Sequence, residues 1–125
     1  MLDNLKSMAN VAGLLKDLPK IKQRMVALKD QLGRQTVTGE TGGGAVRVTA
    51  TGLLRVVSIE VDRAMLGGLL DATDSQDKAI AEDLITGAVN TALQKARELA
   101  EKEAAAVAGE LGLPFPAGGL GGLVA

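Results

Sequence analysis

The chain has 125 residues, 14 Lys and Arg against 15 Asp and Glu for a net charge of −1, one aromatic residue (Phe115), and no Cys, His, Tyr or Trp. That length fits one domain around a single core of Leu, Val, Ile, Met and Ala, and the missing residue types exclude disulfides, thiolate chemistry and any Ser-His-Asp or Cys-His mechanism. Zinc would have carboxylates alone to hold it, and pairs such as Glu82-Asp83 or Glu101 with Glu103 lie in a charge-rich helical stretch that reads as a solvated face. We therefore expect no catalytic residue, no metal or cofactor site and no enzyme activity.

Met1-Leu2-Asp3-Asn4 lacks the basic start and apolar core of a signal peptide. No run approaches the roughly 18 apolar residues that span a membrane, so a soluble, intracellular protein without a membrane partner is expected. Residues 2–33 place apolar side chains at Leu5, Met8, Ala12 and Leu15, then at Leu18, Ile21, Met25, Leu28 and Leu32. These are two heptad seams offset by one residue, and Pro19 falls at the offset. A proline removes a helical hydrogen bond and clashes with the preceding turn, which predicts a kink or break at Asp17-Leu18-Pro19 and a second segment ending at Gly33.

Residues 36–62 alternate with a period of two. Val46, Val48 and Ala50 share one parity and Val57, Ile59 and Val61 share another, the pattern of half-buried antiparallel strands. Gly52-Leu53 suits a two-residue type II′ turn, which would set Thr51 opposite Leu54, Val48 opposite Val57 and Val46 opposite Ile59. A shorter strand from Thr36 to Thr41, carrying only Val37 and the flat Gly39 on that parity, is predicted at the edge. The run from Gly39 to Gly44 resembles a phosphate-cradling loop only superficially: it lacks the Lys-Ser/Thr of a P-loop and leads into a strand, so it reads as a hairpin connection.

Beyond Asp62, Arg63 to Leu66 suits one helical turn before Gly67-Gly68. Residues 71–77 form a polar linker with cap chemistry, Thr73 with Gln76 or Asp74 with Asp77. A long helix over 74–108 then carries Ile80, Leu84, Ala88, Ala92, Ala96 and Leu99 on one stripe, whose alanines allow close approach of another element. Residues 111–125 are an uncharged Gly/Pro-rich tail, expected to be mobile, with docking of Phe115 on the core as the alternative. The whole reads as one domain over 1–110: α+β, in the order α-β-β-β-α, a three-stranded antiparallel sheet with long N- and C-terminal helices. These helices are too long to fold back on so small a sheet, so their apolar surface points to burial between subunits of a homodimer.

Charge is polarised along the chain: seven basic and three acidic groups in residues 1–34, five and nine in residues 63–125. Lys20 and Arg24 flank one side of the first helix's seam, Lys22 and Lys29 the other. These cations could line a surface for DNA phosphates. They could equally be coiled-coil flanks that pair with Glu82, Asp83, Glu98 or Glu101. The candidate DNA-binding residues are Lys16, Lys20, Lys22, Arg24, Lys29 and Arg34, with Lys95, Arg97 and Lys102 as a second set. Asn90 reads as an amide buried across a dimer rather than a base contact.

The run from Val37 to Thr49 around GETGGG, followed by Val57-Ser58-Ile59-Glu60-Val61-Asp62, resembles the YbaB/EbfC family of bacterial nucleoid-associated proteins. Glu82-Asp83-Leu84-Ile85 with the Asn90-bearing helix strengthens the likeness, which covers about residues 1–116. The chain departs from the family in Pro19, in a Gly52-Leu53 turn without the usual Asn-Gly and following Lys, and in its GGLGGLVA ending. The resemblance implies a homodimer whose helices project from a central sheet, binding to duplex DNA with low sequence preference, and a place in the cytoplasm at the nucleoid, where it would influence nucleoid organisation and gene expression. Family members are often encoded beside DNA-replication and recombination genes, which makes such proteins candidate partners. The alternative function is a structural or adaptor dimer that holds another protein along its helical seam.

Overall fold

A computed structural model describes residues 2–70 and 75–112, with side chains placed for 15–69 and 75–112. The order is α1 (Leu2–Arg34), β1 (Thr36–Thr41), β2 (Val46–Thr51), β3 (Val56–Val61), α2 (Arg63–Leu70) and α3 (Ser75–Glu110). The strands form one antiparallel sheet in the order β1-β2-β3. This is the expected α+β architecture with one short helix added. The cap chemistry expected at Thr73 and Asp74, and the tail with Phe115, lie outside the described residues.

The core lies between α3 and the sheet. Ala88, Ala92 and Ala96 on α3 are fully buried against Val46, Val48, Ala50 and Leu66. Small side chains let the helix sit very close to β1. A Cβ on Gly39 would stand 2.4 Å from the Ala92 nitrogen and 2.6 Å from the Ala88 oxygen, so only glycine fits under the helix backbone. The Thr41 hydroxyl donates to the Leu84 carbonyl at the same seam. A second cluster of Leu28, Leu32, Ala100 and Val107 joins the C-terminal half of α1 to α3.

The turns depart from the sequence expectations in instructive ways. Val46 pairs with Val61 and Val48 with Ile59, two residues away from the expected partners, and a bulge at Thr49/Ala50 brings Ala50 opposite Val56. The parity of the strands survives because the slip is even. The cause is a three-residue loop: the Leu54 N–H donates to the Thr51 carbonyl, the Thr51 N–H donates to the Arg55 carbonyl, and Leu54 takes the left-handed conformation at φ 63°. Gly52 is used for close approach instead. Its N–H donates to the carbonyls of Leu32 and Gln35, each at 3.0 Å, and a Cβ there would fall 2.8 Å from the Leu32 side chain.

Two helices are longer than expected. α1 is one helix through Pro19 and Gly33, without the predicted break. Residues 16–20 are exposed, so solvent reaches the Leu15 carbonyl that loses its partner at Pro19. α2 runs through Gly67-Gly68 to Leu70, capped by Asp62, whose carboxylate accepts from the N–H groups of Ala64 and Met65 at 2.9 and 3.2 Å. The Gly42-Gly43-Gly44 stretch makes the β1-β2 connection, all three residues at positive φ.

β3 is less buried than its pattern suggests. Val61 is half-buried, but Val57 and Ile59 are 53% and 49% exposed. The reason is the placement of α3, which lies over β1 and β2 and only grazes β3.

Candidate nucleic-acid interface

The basic groups singled out in the sequence ride on α1, a 33-residue helix about 50 Å long at 1.5 Å per residue. α1 and α3 run antiparallel, with Arg24 opposite Glu110 and Gln31 opposite Glu103. α3 ends at Glu110, so the part of α1 before about residue 20 has no α3 beside it. On that part Lys16 and Lys20, one helical turn apart, are both exposed, and Arg24 continues the same row. Lys22 and Lys29 lie two turns apart on another face and are likewise exposed.

The six candidates are therefore not one patch. Lys20 and Arg24 line a shallow concavity of about 430 Å³ with Gln23, Ala27, Glu110 and Leu111, where α1 meets the end of α3. Lys29 and Arg34 line another, of about 440 Å³, with Val26, Asp30, Gly33 and Leu53, where α1 meets the β2-β3 hairpin tip.

Their electrostatics differ as well. Arg24 is clasped by Glu110 through two hydrogen bonds, Nε to Oε2 at 2.9 Å and Nη2 to Oε1 at 3.2 Å. The hydrogen bond from Arg24 holds the Glu110 carboxyl below its ordinary range, and the same bond holds the guanidinium more firmly protonated. Arg34 pairs with Asp30 one turn back at 2.6 Å. Lys16, Lys20, Lys22 and Lys29 have no ion pair among the described residues. The paired-flank reading thus describes Arg24, but with Glu110 as the acid. Glu82, Asp83, Glu98 and Glu101 make no ion pair with α1 among the described residues.

The second basic set is dispersed along α3. Lys95 donates to the Thr38 carbonyl at 3.0 Å, binding the helix to β1, while Arg97 and Lys102 are exposed. Asn90 is exposed on α3 in the single chain. Arg55, which charge patterning on α1 passed over, stands exposed beside the hairpin tip, and it became visible only with the three-residue loop. On the outer face of the sheet Arg47 pairs with Glu40 at 2.8 Å. Among the described residues no cluster of acidic side chains could hold a metal ion, and no helix is long and apolar enough to cross a membrane.

Comparison with known proteins places this arrangement. Residues 8–111 match the YbaB/EbfC DNA-binding family. A Pelotomaculum thermopropionicum protein named "Nucleoid-associated protein" is 36% identical over 105 residues, covering 84% of this chain and 93% of the relative. A nucleoid-associated protein of an Anaeromyxobacter species is 38% identical over 105 residues, covering 84% and 95%. The crystal structure of an uncharacterized protein from Helicobacter pylori shares the fold, with a TM-score of 0.57, 23% identity, and coverage of 77% of this chain and 90% of that one. The chain belongs to the YbaB/EbfC DNA-binding family.

Proposed function

We propose that this protein binds duplex DNA at the bacterial nucleoid as a homodimer, through phosphate contacts with little sequence preference. The observation that carries the reading is the state of Lys16, Lys20, Lys22 and Lys29: four exposed ammonium groups on one long helix, none neutralised by a carboxylate among the described residues. A lysine held this way is a point charge for a phosphate and carries no base readout. Arg24 and Arg34 join the surface at lower strength, since each must first share or leave its own carboxylate. Arg97 and Lys102 supply weaker, scattered charge. In the cell this chemistry serves nucleoid organisation and gene expression by coating DNA rather than by reading a site.

The dimer follows from what one chain leaves uncovered. β3 is an open edge with Val57 and Ile59 exposed, and Leu53 before the strand and Met65 on α2 after it are exposed as well. A second copy laid on this edge would bury them and would double the number of lysines presented to one duplex. Proteins of DNA replication or recombination are candidate partners of the assembled dimer.

A charge-reversal variant separates DNA contact from a structural role. Lys20→Glu with Lys22→Glu should weaken duplex binding by at least about tenfold at moderate salt, through lost phosphate contacts, while thermal denaturation of the protein stays unchanged. A fall in melting temperature with DNA affinity retained would place these lysines in the subunit contact and favour the adaptor reading.

A further inference from the structure

We infer that Glu110 acts as an internal stand-in for a DNA phosphate, occupying Arg24 and thereby setting how tightly and with how many contacts the protein holds DNA. The inference rests on the DNA-binding reading and adds a regulatory contact to it.

The geometry is that of a guanidinium already engaged by an anion. Two of its N–H groups donate to the two oxygens of one carboxylate, at 2.9 and 3.2 Å, the fork-like arrangement that arginine also offers a phosphate. The pair is accessible: the Arg24 side chain is 32% exposed and that of Glu110 54%. It borders the concavity that also holds Lys20, so a phosphate drawn in by Lys20 meets a second cation already taken and a carboxylate that repels it.

The position of Glu110 makes this contact unusual for a helix. It lies in the last turn of α3, which holds no basic residue, and a negative charge there opposes the helix dipole. Arg24, 86 positions earlier in the chain, offsets that cost from α1. A phosphate that takes Arg24 leaves Glu110 uncompensated at the helix end, so the exchange opposes binding at this point, whereas Lys16, Lys20, Lys22 and Lys29 have no such competitor among the described residues. The clasp also joins α1 to α3 where α3 stops, and it marks where the stretch of α1 free of α3 begins.

The test is a pairwise set of variants of the full chain, read by fluorescence anisotropy with a labelled duplex over a range of salt concentrations. Glu110→Gln should tighten binding about 3- to 8-fold and steepen the dependence of log affinity on log salt by about 0.9 for each protomer engaged, the effect of one added phosphate contact. In an Arg24→Gln background the same change should have no effect. Glu82→Gln, which removes an exposed carboxylate with no ion pair among the described residues, controls for net charge and should leave the slope unaltered. Equal tightening by Glu82→Gln, or tightening by Glu110→Gln that persists without Arg24, would show a general charge effect and overturn the inference. So would an unchanged Glu110→Gln affinity in a protein that otherwise binds DNA. Failure of the unaltered protein to bind DNA at any salt would overturn the DNA reading itself.

Discussion

The two edge strands of the sheet differ in apolar pattern and meet opposite fates. β1 lies beneath α3 so closely that one of its positions must be glycine, and the helix over it is fully buried at Ala88, Ala92 and Ala96. β3 has the better apolar pattern, with Val57, Ile59 and Val61, yet two of these remain about half exposed. The helix lies over one edge and leaves the other open. One chain completes its core on the β1 side only and leaves apolar surface exposed at β3, the surface on which the proposed dimer rests. The same asymmetry runs along α1: its C-terminal half is bound to α3 through Leu28 and Leu32, and its earlier part carries Lys16 and Lys20, exposed and without an ion pair among the described residues.

The closed edge is where the largest effect is expected. Gly39→Ala pushes a methyl group into the α3 backbone, which cannot yield as a flexible side chain would, and should cost about 3 kcal/mol of stability, the upper part of the range for overpacking. Thermal or urea denaturation measures it. The open edge should behave in the opposite way. Val57→Lys with Ile59→Lys should leave the fold of each chain intact by circular dichroism and weaken dimerisation about 100-fold in sedimentation experiments, because two charges would be buried at the contact. If that variant lost as much stability as Gly39→Ala does, β3 would be part of the core of the single chain and not an open edge.

The smallest expected effect is at the α1–α3 clasp. Glu110 has its carboxyl held below the ordinary value of 4.5 by Arg24, so on acidification the unfolded chain takes up this proton first. The stability from the pair is complete above that ordinary value and is lost as the pH falls through the lower folded value. Melting temperature followed from pH 6 downward should show a shallower acid limb for Glu110→Gln than for the unaltered chain.

The fold was largely legible because its strongest signals are periodic. The alternation of Val46, Val48 and Ala50 placed the central strand, and the recurrence of Ala88, Ala92 and Ala96 at every fourth residue both placed α3 and explained its close approach. Single residues with two uses were harder. Gly52 reads as a turn glycine, but the chain spends it on contact with Leu32 and gives the left-handed conformation to Leu54, which shifts the register by two. Pro19 and Gly67-Gly68 read as breaks, but α1 passes Pro19 where solvent reaches the freed carbonyl, and an Asp62 cap starts a helix that runs through the glycines. In the candidate site, charge and helical spacing found the lysines, whereas the partner of Arg24 could not be read locally. Which acid meets it depends on where α3 ends relative to α1, and that is set by sheet packing between them.

The proposed DNA contact rests on phosphate binding by the exposed lysines of α1. The most direct test is to titrate the purified protein against two duplexes of unrelated sequence at several salt concentrations, by anisotropy. Similar affinities for both duplexes are expected, with a slope of log affinity against log salt of about −4 if the four lysines of one protomer engage, or about −7 if both protomers do. No binding at low salt, or binding to one duplex alone with little dependence on salt, would contradict it.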